Sequence, residues 1–136
     1  MTELTLAATV ENLDTVMGFV EEHLEEYGCP MKTMMQVSLA VEEIYVNIAH
    51  YAYNPEIGPA TIQVEVHEDP LEVLITFMDK GKPYDPLAKA DPDITLSAEE
   101  RDIGGLGIFL VKQTMDDVRY EYSNGSNILR ISKRLS

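Results

Sequence analysis

Hydrophobic positions along the chain alternate between two periods, and the switches between them mark out the elements. Residues 3–9 read as a short edge strand, after which Asn12 is placed to cap a helix whose apolar positions are Leu13, Val16, Met17, Val20, Leu24 and Tyr27. The opposite face of that helix carries Glu21, Glu22, Glu25 and Glu26, a solvated face, and Gly28 followed by Pro30 supplies a stop. Steps of three and four at Met34, Val37, Val41, Ile44 and Ile48 predict a longer helix over 31–53. The period then falls to two: 61–68 puts Ile62, Val64 and Val66 on one face, and 71–79 does the same with Leu71, Val73, Ile75 and Phe77. Asp69 and Pro70 form the turn between these strands. The stretch 80–103, with Gly81, Pro83, Pro86 and Pro92, has little periodicity and is longer than ordinary connections, as binding loops and lids are. Gly104, Gly105 and Gly107 then open a short helix over 108–115. Strands over 118–123 and 127–135 close the chain, joined at Asn124-Gly125, a strong hairpin signal.

Strands with one apolar face need a cover, and three helices are available to provide it. The expected fold class is therefore an α/β (α+β) two-layer sandwich, a mixed, mostly antiparallel sheet covered on one face by helices. With 136 residues, 1–136 reads as a single domain. The formal net charge of -14 argues against nucleic acid as a partner, because that binding draws on clustered Lys and Arg. Cys29 is the only cysteine, which excludes an intrachain disulfide and a multi-thiolate metal site. His23, His50 and His67 show no paired ligand spacing, so any metal would be a hard ion on oxygen ligands. No apolar stretch reaches membrane-spanning length and the N-terminus lacks the pattern of a signal peptide, so a cytoplasmic location without membrane attachment is expected.

Three features carry candidate chemistry. Glu43 and Asn47 stand four residues apart on the long helix and project from one face, beside its apolar stripe. Asp79 continues the inward alternation of its strand, so its carboxylate points where a partner is needed; Gly81, two residues on, permits a close backbone approach. The run Gly104-Gly105-Leu106-Gly107 enters a helix, where free N–H groups and the helix dipole attract anions. Each alone is also what a solvated helix face, an exposed turn or a flexible loop would show. Neither a Walker A loop nor a Rossmann fingerprint is present.

Taken in order along the chain, these features resemble the motifs of a known superfamily. Glu43-Ile44-Tyr45-Val46-Asn47 looks like the N-box of the Bergerat-fold (GHKL) ATPases, Asp79-Lys80-Gly81 like their first glycine box, and Gly105-Leu106-Gly107 like their second. Within the superfamily the chain is most similar to the small anti-sigma factor serine kinases, along nearly its whole length: Ala40-Val41-Glu42-Glu43, the segment 101–109 and Met115-Asp116-Asp117-Val118 also match, whereas Tyr51 stands where many relatives have a histidine. The resemblance implies ATP and Mg²⁺ as ligands, with the metal on Asn47, and adenine on Asp79 and Gly81. It implies phosphates at Gly105, Leu106 and Gly107, a lid over about 80–103 that carries Arg101 to them, and Glu43 as the general base. The implied function is an anti-sigma factor with serine/threonine kinase activity, which phosphorylates a STAS-type antagonist, sequesters a sigma factor and forms a possible homodimer. The alternative is an ATP-dependent binding module without transfer, and Glu43 is the residue that separates the two.

Overall fold

The computed structural model describes residues 1–53, 55–88 and 103–135, with 88 and 103–106 taken as backbone only. Its elements are β1 (Thr2–Ala7), α1 (Leu13–Glu26), α2 (Met31–Tyr51), β2 (Pro59–His67), β3 (Glu72–Asp79), α3 (Ile103–Thr114), β4 (Asp117–Ser123) and β5 (Ser126–Arg134), with single 3-10 turns at Val10–Asn12 and Pro86–Ala88. The five strands lie in the order β1-β2-β3-β5-β4, and each of the four pairings is antiparallel. The mostly antiparallel sheet read from the sequence is thus antiparallel throughout the described residues. In β2, β3 and β5 the alternation turns Ile62, Val64, Val73, Ile75, Phe77, Leu129 and Ile131 to one side. There they meet Val16, Val20 and Leu24 of α1 and Val37, Val41 and Ile44 of α2.

Local chemistry sets most boundaries. Gly28 ends α1 at φ 69°, with Cys29 N–H donating to Leu24 O and Gly28 N–H to Glu25 O, both at 3.0 Å, which is the Schellman arrangement. Asn124 and Gly125, at φ 52° and 80°, make the tight turn between β4 and β5. Asn12 differs from expectation: its side chain makes no cap bond to α1 but donates back to Ala7 O at 2.8 Å, tying the chain to the end of β1. Glu21 is also not purely solvated, since it accepts a hydrogen bond from Ser38 of α2 at 3.1 Å. The long helix ends at Tyr51, two residues before the expected position, and the third helix starts at Ile103 rather than after the glycines. Ile108 and Val111 of α3 are buried against the core, and that burial carries a helix through glycines that cost about 1 kcal/mol each relative to alanine.

Tyr45 joins the first strand to the long helix. Fully buried, its hydroxyl donates to Thr9 O at 2.7 Å, lies 3.2 Å from Ala7 O, and accepts from Thr9 N–H at 3.1 Å. Tyr45→Phe is expected to lower the free energy of unfolding by about 1–2 kcal/mol in urea titrations. An unchanged midpoint would mean that water replaces the phenol without loss.

Candidate functional site

Asp79 is the last residue of β3 and faces inward, as its alternation requires; it is 7% exposed. Its Oδ1 accepts from Gly81 N–H and from Asn127 Nδ2, both at 2.9 Å. Asn127 is Asp79's register partner across the β3–β5 pairing, and it is equally buried. Both ends of its amide are in use. Nδ2 also donates to Lys82 O at 2.8 Å, while Oδ1 accepts from Tyr84 N–H at 3.2 Å and from the hydroxyl of Tyr120 on β4. Burial raises the Tyr120 phenol, against a lowering by its contact with the Tyr84 N–H and smaller raising effects of Asp85, Asp79 and Tyr122, so it remains a proton donor. One side chain therefore fixes both the carboxylate and the segment leaving β3. That segment is held from the other side by the two residues that follow α2: Lys82 N–H donates to Ala52 O at 2.9 Å, and Lys80 N–H to the Tyr53 hydroxyl at 2.8 Å. A Cβ at Gly81 would overlap the Ala52 carbonyl, so only glycine lets the segment pass this close to the end of α2.

Asp79 and Asn47 line a single cleft of about 510 Å³, which includes its open mouth. Its walls are apolar, from Ile44 and Ile48 of α2, Phe77 of β3 and Leu129 of β5, with Asn127 beside Asp79 and the exposed Tyr51 at the rim. A flat, hydrogen-bonding base suits such a slot: apolar walls for its faces and one buried carboxylate for its edge. One turn before Asn47 on α2, Glu43 Oε1 accepts from Asn47 Nδ2 at 3.3 Å. The Asn47 amide oxygen is then the atom left for a cation. One protein oxygen is enough for Mg²⁺, which keeps waters and takes its other ligands from phosphates. Burial raises the Glu43 carboxyl above its ordinary 4.5, the Asn47 bond lowers it, and the charge of Glu42 raises it further; the net direction is up.

Glu43 does not line this cleft. It lines a second hollow between α2 and α3, together with Gly107. A Cβ at Gly107 would overlap the Glu43 carboxylate, so the absence of a side chain there is what lets the carboxylate lie against α3. Gly105 falls in the first turn of α3, whose N–H groups have no acceptor within the helix, whereas Gly107 lies beyond that turn. Backbone donation to an anion therefore suits Gly105 better than Gly107, whose role in the geometry is steric. Leu106 sits between them in the helix backbone. Arg101 and most of the expected lid lie outside the described residues; of 80–103, only 80–88 and the first residue of α3 are described. Asn127, Tyr120 and Tyr53 were not among the residues singled out from the sequence. The signal for Asn127 was available: stepping by two from Ile131 through Leu129 places it on the buried face, as the same step placed Asp79.

Two outcomes test this geometry. Asn127→Ala removes a donor to a buried carboxylate and strands Lys82 O, Tyr84 N–H and Tyr120; unfolding free energy is expected to fall by about 2–3 kcal/mol in urea titrations. A loss below about 0.5 kcal/mol would mean that the network is not what holds Asp79. For Glu43, a carboxyl whose folded value is raised is costly to the fold once ionised. That cost is absent below the unfolded value near 4.5 and complete above the folded value. Glu43→Gln should therefore melt at or above the unmutated temperature at pH 7, with the difference vanishing as pH falls through that window. A variant that is less stable at pH 7 than at pH 4 relative to the unmutated chain would reverse the sign.

The family model described as histidine kinase-like ATPase domain matches residues 6–133. The serine-protein kinase RsbW of Bacillus cereus is 28% identical over 125 residues, covering 89% of this chain and 71% of that protein. The RsbW of Listeria monocytogenes serovar 1/2a is 31% identical over 107 residues, covering 75% and 67%. Among solved structures, the RsbU and RsbW domains of Rv1364c from Mycobacterium tuberculosis match with a TM-score of 0.67 at 16% identity, over 99% of this chain and 33% of that one. The histidine kinase domain of the blue-light activated histidine kinase EL346 from Erythrobacter litoralis matches with a TM-score of 0.56 at 17% identity, over 90% and 61%. These two structures speak for the fold alone, and this chain spans a third of the first of them. No helix of the described residues is long and apolar enough to cross a membrane. The chain belongs to the histidine kinase-like ATPase family of the GHKL superfamily, in its branch of anti-sigma factor serine kinases.

Proposed function

We infer that this protein is an ATP- and Mg²⁺-dependent serine/threonine protein kinase that phosphorylates a STAS-type anti-sigma factor antagonist and, in another state, sequesters a sigma factor in the cytoplasm. The observation that carries this reading is the hydrogen-bonded pair on α2: Asn47 opens into the same cleft as Asp79, and Glu43 stands one turn away, its carboxyl raised above its ordinary value by burial. Simple nucleotide binding has no use for a base at that place. The names of the RsbW relatives from Bacillus and Listeria support the same activity.

The residues divide the work. Asp79 accepts the hydrogen bond of the adenine amino group, and Gly81 keeps the segment beside it close to α2. Asn47 offers its amide oxygen to Mg²⁺, which when bound neutralises charge on the phosphate oxygens. The N–H groups in the first turn of α3, Gly105 among them, would donate to the phosphates, with Leu106 and Gly107 following in the helix. Arg101, which lies outside the described residues, is the cation that the family resemblance assigns to the phosphates. Glu43 takes the proton of the acceptor serine as the serine oxygen bonds to the γ-phosphorus. The bond from that phosphorus to the β–γ bridging oxygen breaks, and ADP leaves with the electron pair.

ATP is expected to bind at least about a hundredfold more tightly than GTP, because guanine presents a carbonyl to Asp79 where adenine presents an amino group. Calorimetric titration with both nucleotides checks this, and equal affinity would remove the base from Asp79. With a purified STAS antagonist and radiolabelled ATP, Asn47→Ala is expected to lose both nucleotide affinity and transfer. Glu43→Gln should keep ATP binding and lower transfer by roughly 10² to 10⁴. Transfer by Glu43→Gln at the unmutated rate would show that Glu43 is not the base. A chain that binds Mg-ATP and a sigma factor yet phosphorylates no antagonist would be a binding switch without kinase activity.

A further inference from the structure

Beside the cleft, two turns are interlocked by a side chain that does not line it. The β2–β3 register ends at Ala60 and Asp79, so Pro59 and Lys80 are the next positions in line. Both bond the same phenol: the Tyr53 hydroxyl accepts from Lys80 N–H at 2.8 Å and donates to Pro59 O at 2.5 Å. Burial raises that phenol, against a lowering by the Lys80 N–H and a smaller raising effect of the Asp79 charge, so it keeps the proton that it donates. A donor and an acceptor that stand about 2.9 Å apart in an ordinary ladder rung are here separated by an oxygen bonded to each. The strands part at this point, and the chain leaving β3 turns toward the end of α2, where Lys82 N–H reaches Ala52 O at 2.9 Å. That turn brings Gly81 N–H back to Asp79 Oδ1, the same oxygen that Asn127 holds from β5. The turn that carries the phenol is closed by Glu56 N–H on Tyr53 O at 2.7 Å, and a Cβ at Gly58 would overlap the Tyr53 ring.

We propose that Tyr53 is a positioning residue for base recognition: its hydroxyl, acting through Lys80 and Gly81, aims the Asp79 carboxylate at the base without touching the nucleotide. The inference rests on the reading above, in which Asp79 takes the adenine amino group. A carboxylate held by one donor can pivot about that bond. Two donors on one oxygen, arriving from different elements, fix its plane and hold Oδ2 in one place for the base, so that binding does not have to order it. Asn127 supplies one donor from β5, and Tyr53 sets the backbone that supplies the other. Tyr53 is not among the residues that line the cleft, so its effect on a bound nucleotide has to pass through Asp79.

The test is calorimetric titration with Mg-ATP and with the magnesium complex of purine riboside triphosphate, which lacks the amino group and so makes no bond to Asp79. Tyr53→Phe keeps the ring and removes both hydroxyl bonds. Gly58→Ala displaces the same ring by a different contact, and Ile57→Ala, in the same turn but 69% exposed, is the control. Tyr53→Phe and Gly58→Ala are each expected to lower ATP affinity by about five- to twentyfold, with the affinity for the analogue within about twofold, and Ile57→Ala should change neither. A general loosening of the fold would move both ligands alike, so the ratio of the two affinities isolates the amino group. Equal losses for ATP and the analogue in Tyr53→Phe, or an unchanged ATP affinity, would overturn the assignment; Tyr53→Phe alone decides if Gly58→Ala does not fold. An unmutated chain that binds the analogue as tightly as ATP would show that Asp79 does not read the base, and the underlying reading would fail together with this one, a result visible without any variant.

Discussion

A carboxylate at the buried end of a central strand is the constraint on which the rest of the site depends. Left without donors, Asp79 would cost the fold several kcal/mol or take up a proton. The structure meets this with a second buried polar residue, Asn127, placed opposite it by the β3–β5 register, and with the N–H of Gly81. Because Asn127 also holds Lys82 O and Tyr84 N–H, satisfying the carboxylate and fixing the start of the 80–103 stretch are one event. The end of α2 completes the clamp through Ala52 O and the Tyr53 hydroxyl. Asp79 and the start of the 80–103 stretch thus share one hydrogen-bond network. Among the described residues no buried side-chain nitrogen or oxygen is left without a partner.

The second organising contact is between helices. Gly107 brings α3 against Glu43, and the Asn47 amide holds the same carboxylate from within α2. Glu43 therefore stands on the wall between two spaces, the cleft that contains Asn47 and Asp79 and the groove lined by Leu39 and Leu110. The same packing removes the carboxylate partly from water, which raises its proton affinity.

Much of this was legible from period and punctuation. The alternation ending at Asp79 put a carboxylate on the buried face, and the four-residue spacing of Glu43 and Asn47 put them side by side; both placements hold. What period alone does not carry is pairing across the sheet. Asn127 lies 48 residues from Asp79 in the chain, and only the strand order, with β5 inserted between β3 and β4, makes them neighbours. Helix limits near glycine were also misplaced. Propensity argues for a loop at Gly104, Gly105 and Gly107, but burial of Ile108 and Val111 extends the helix back to Ile103. Asn12 has the composition of a cap and uses its amide on β1 instead, a choice set by the geometry of the turn at Val10–Asn12.

Asp79, held by Asn127, is the acceptor proposed for the adenine amino group. Calorimetric titration of Mg-ATP into Asp79→Asn measures this directly. The amide keeps the volume of the carboxylate but loses its charge and presents a donor of its own, so affinity is expected to fall by more than about a hundredfold relative to the unmutated chain. Affinity within about twofold of the unmutated value, in a variant that still unfolds cooperatively, would contradict the assignment and place the nucleotide elsewhere on the molecule.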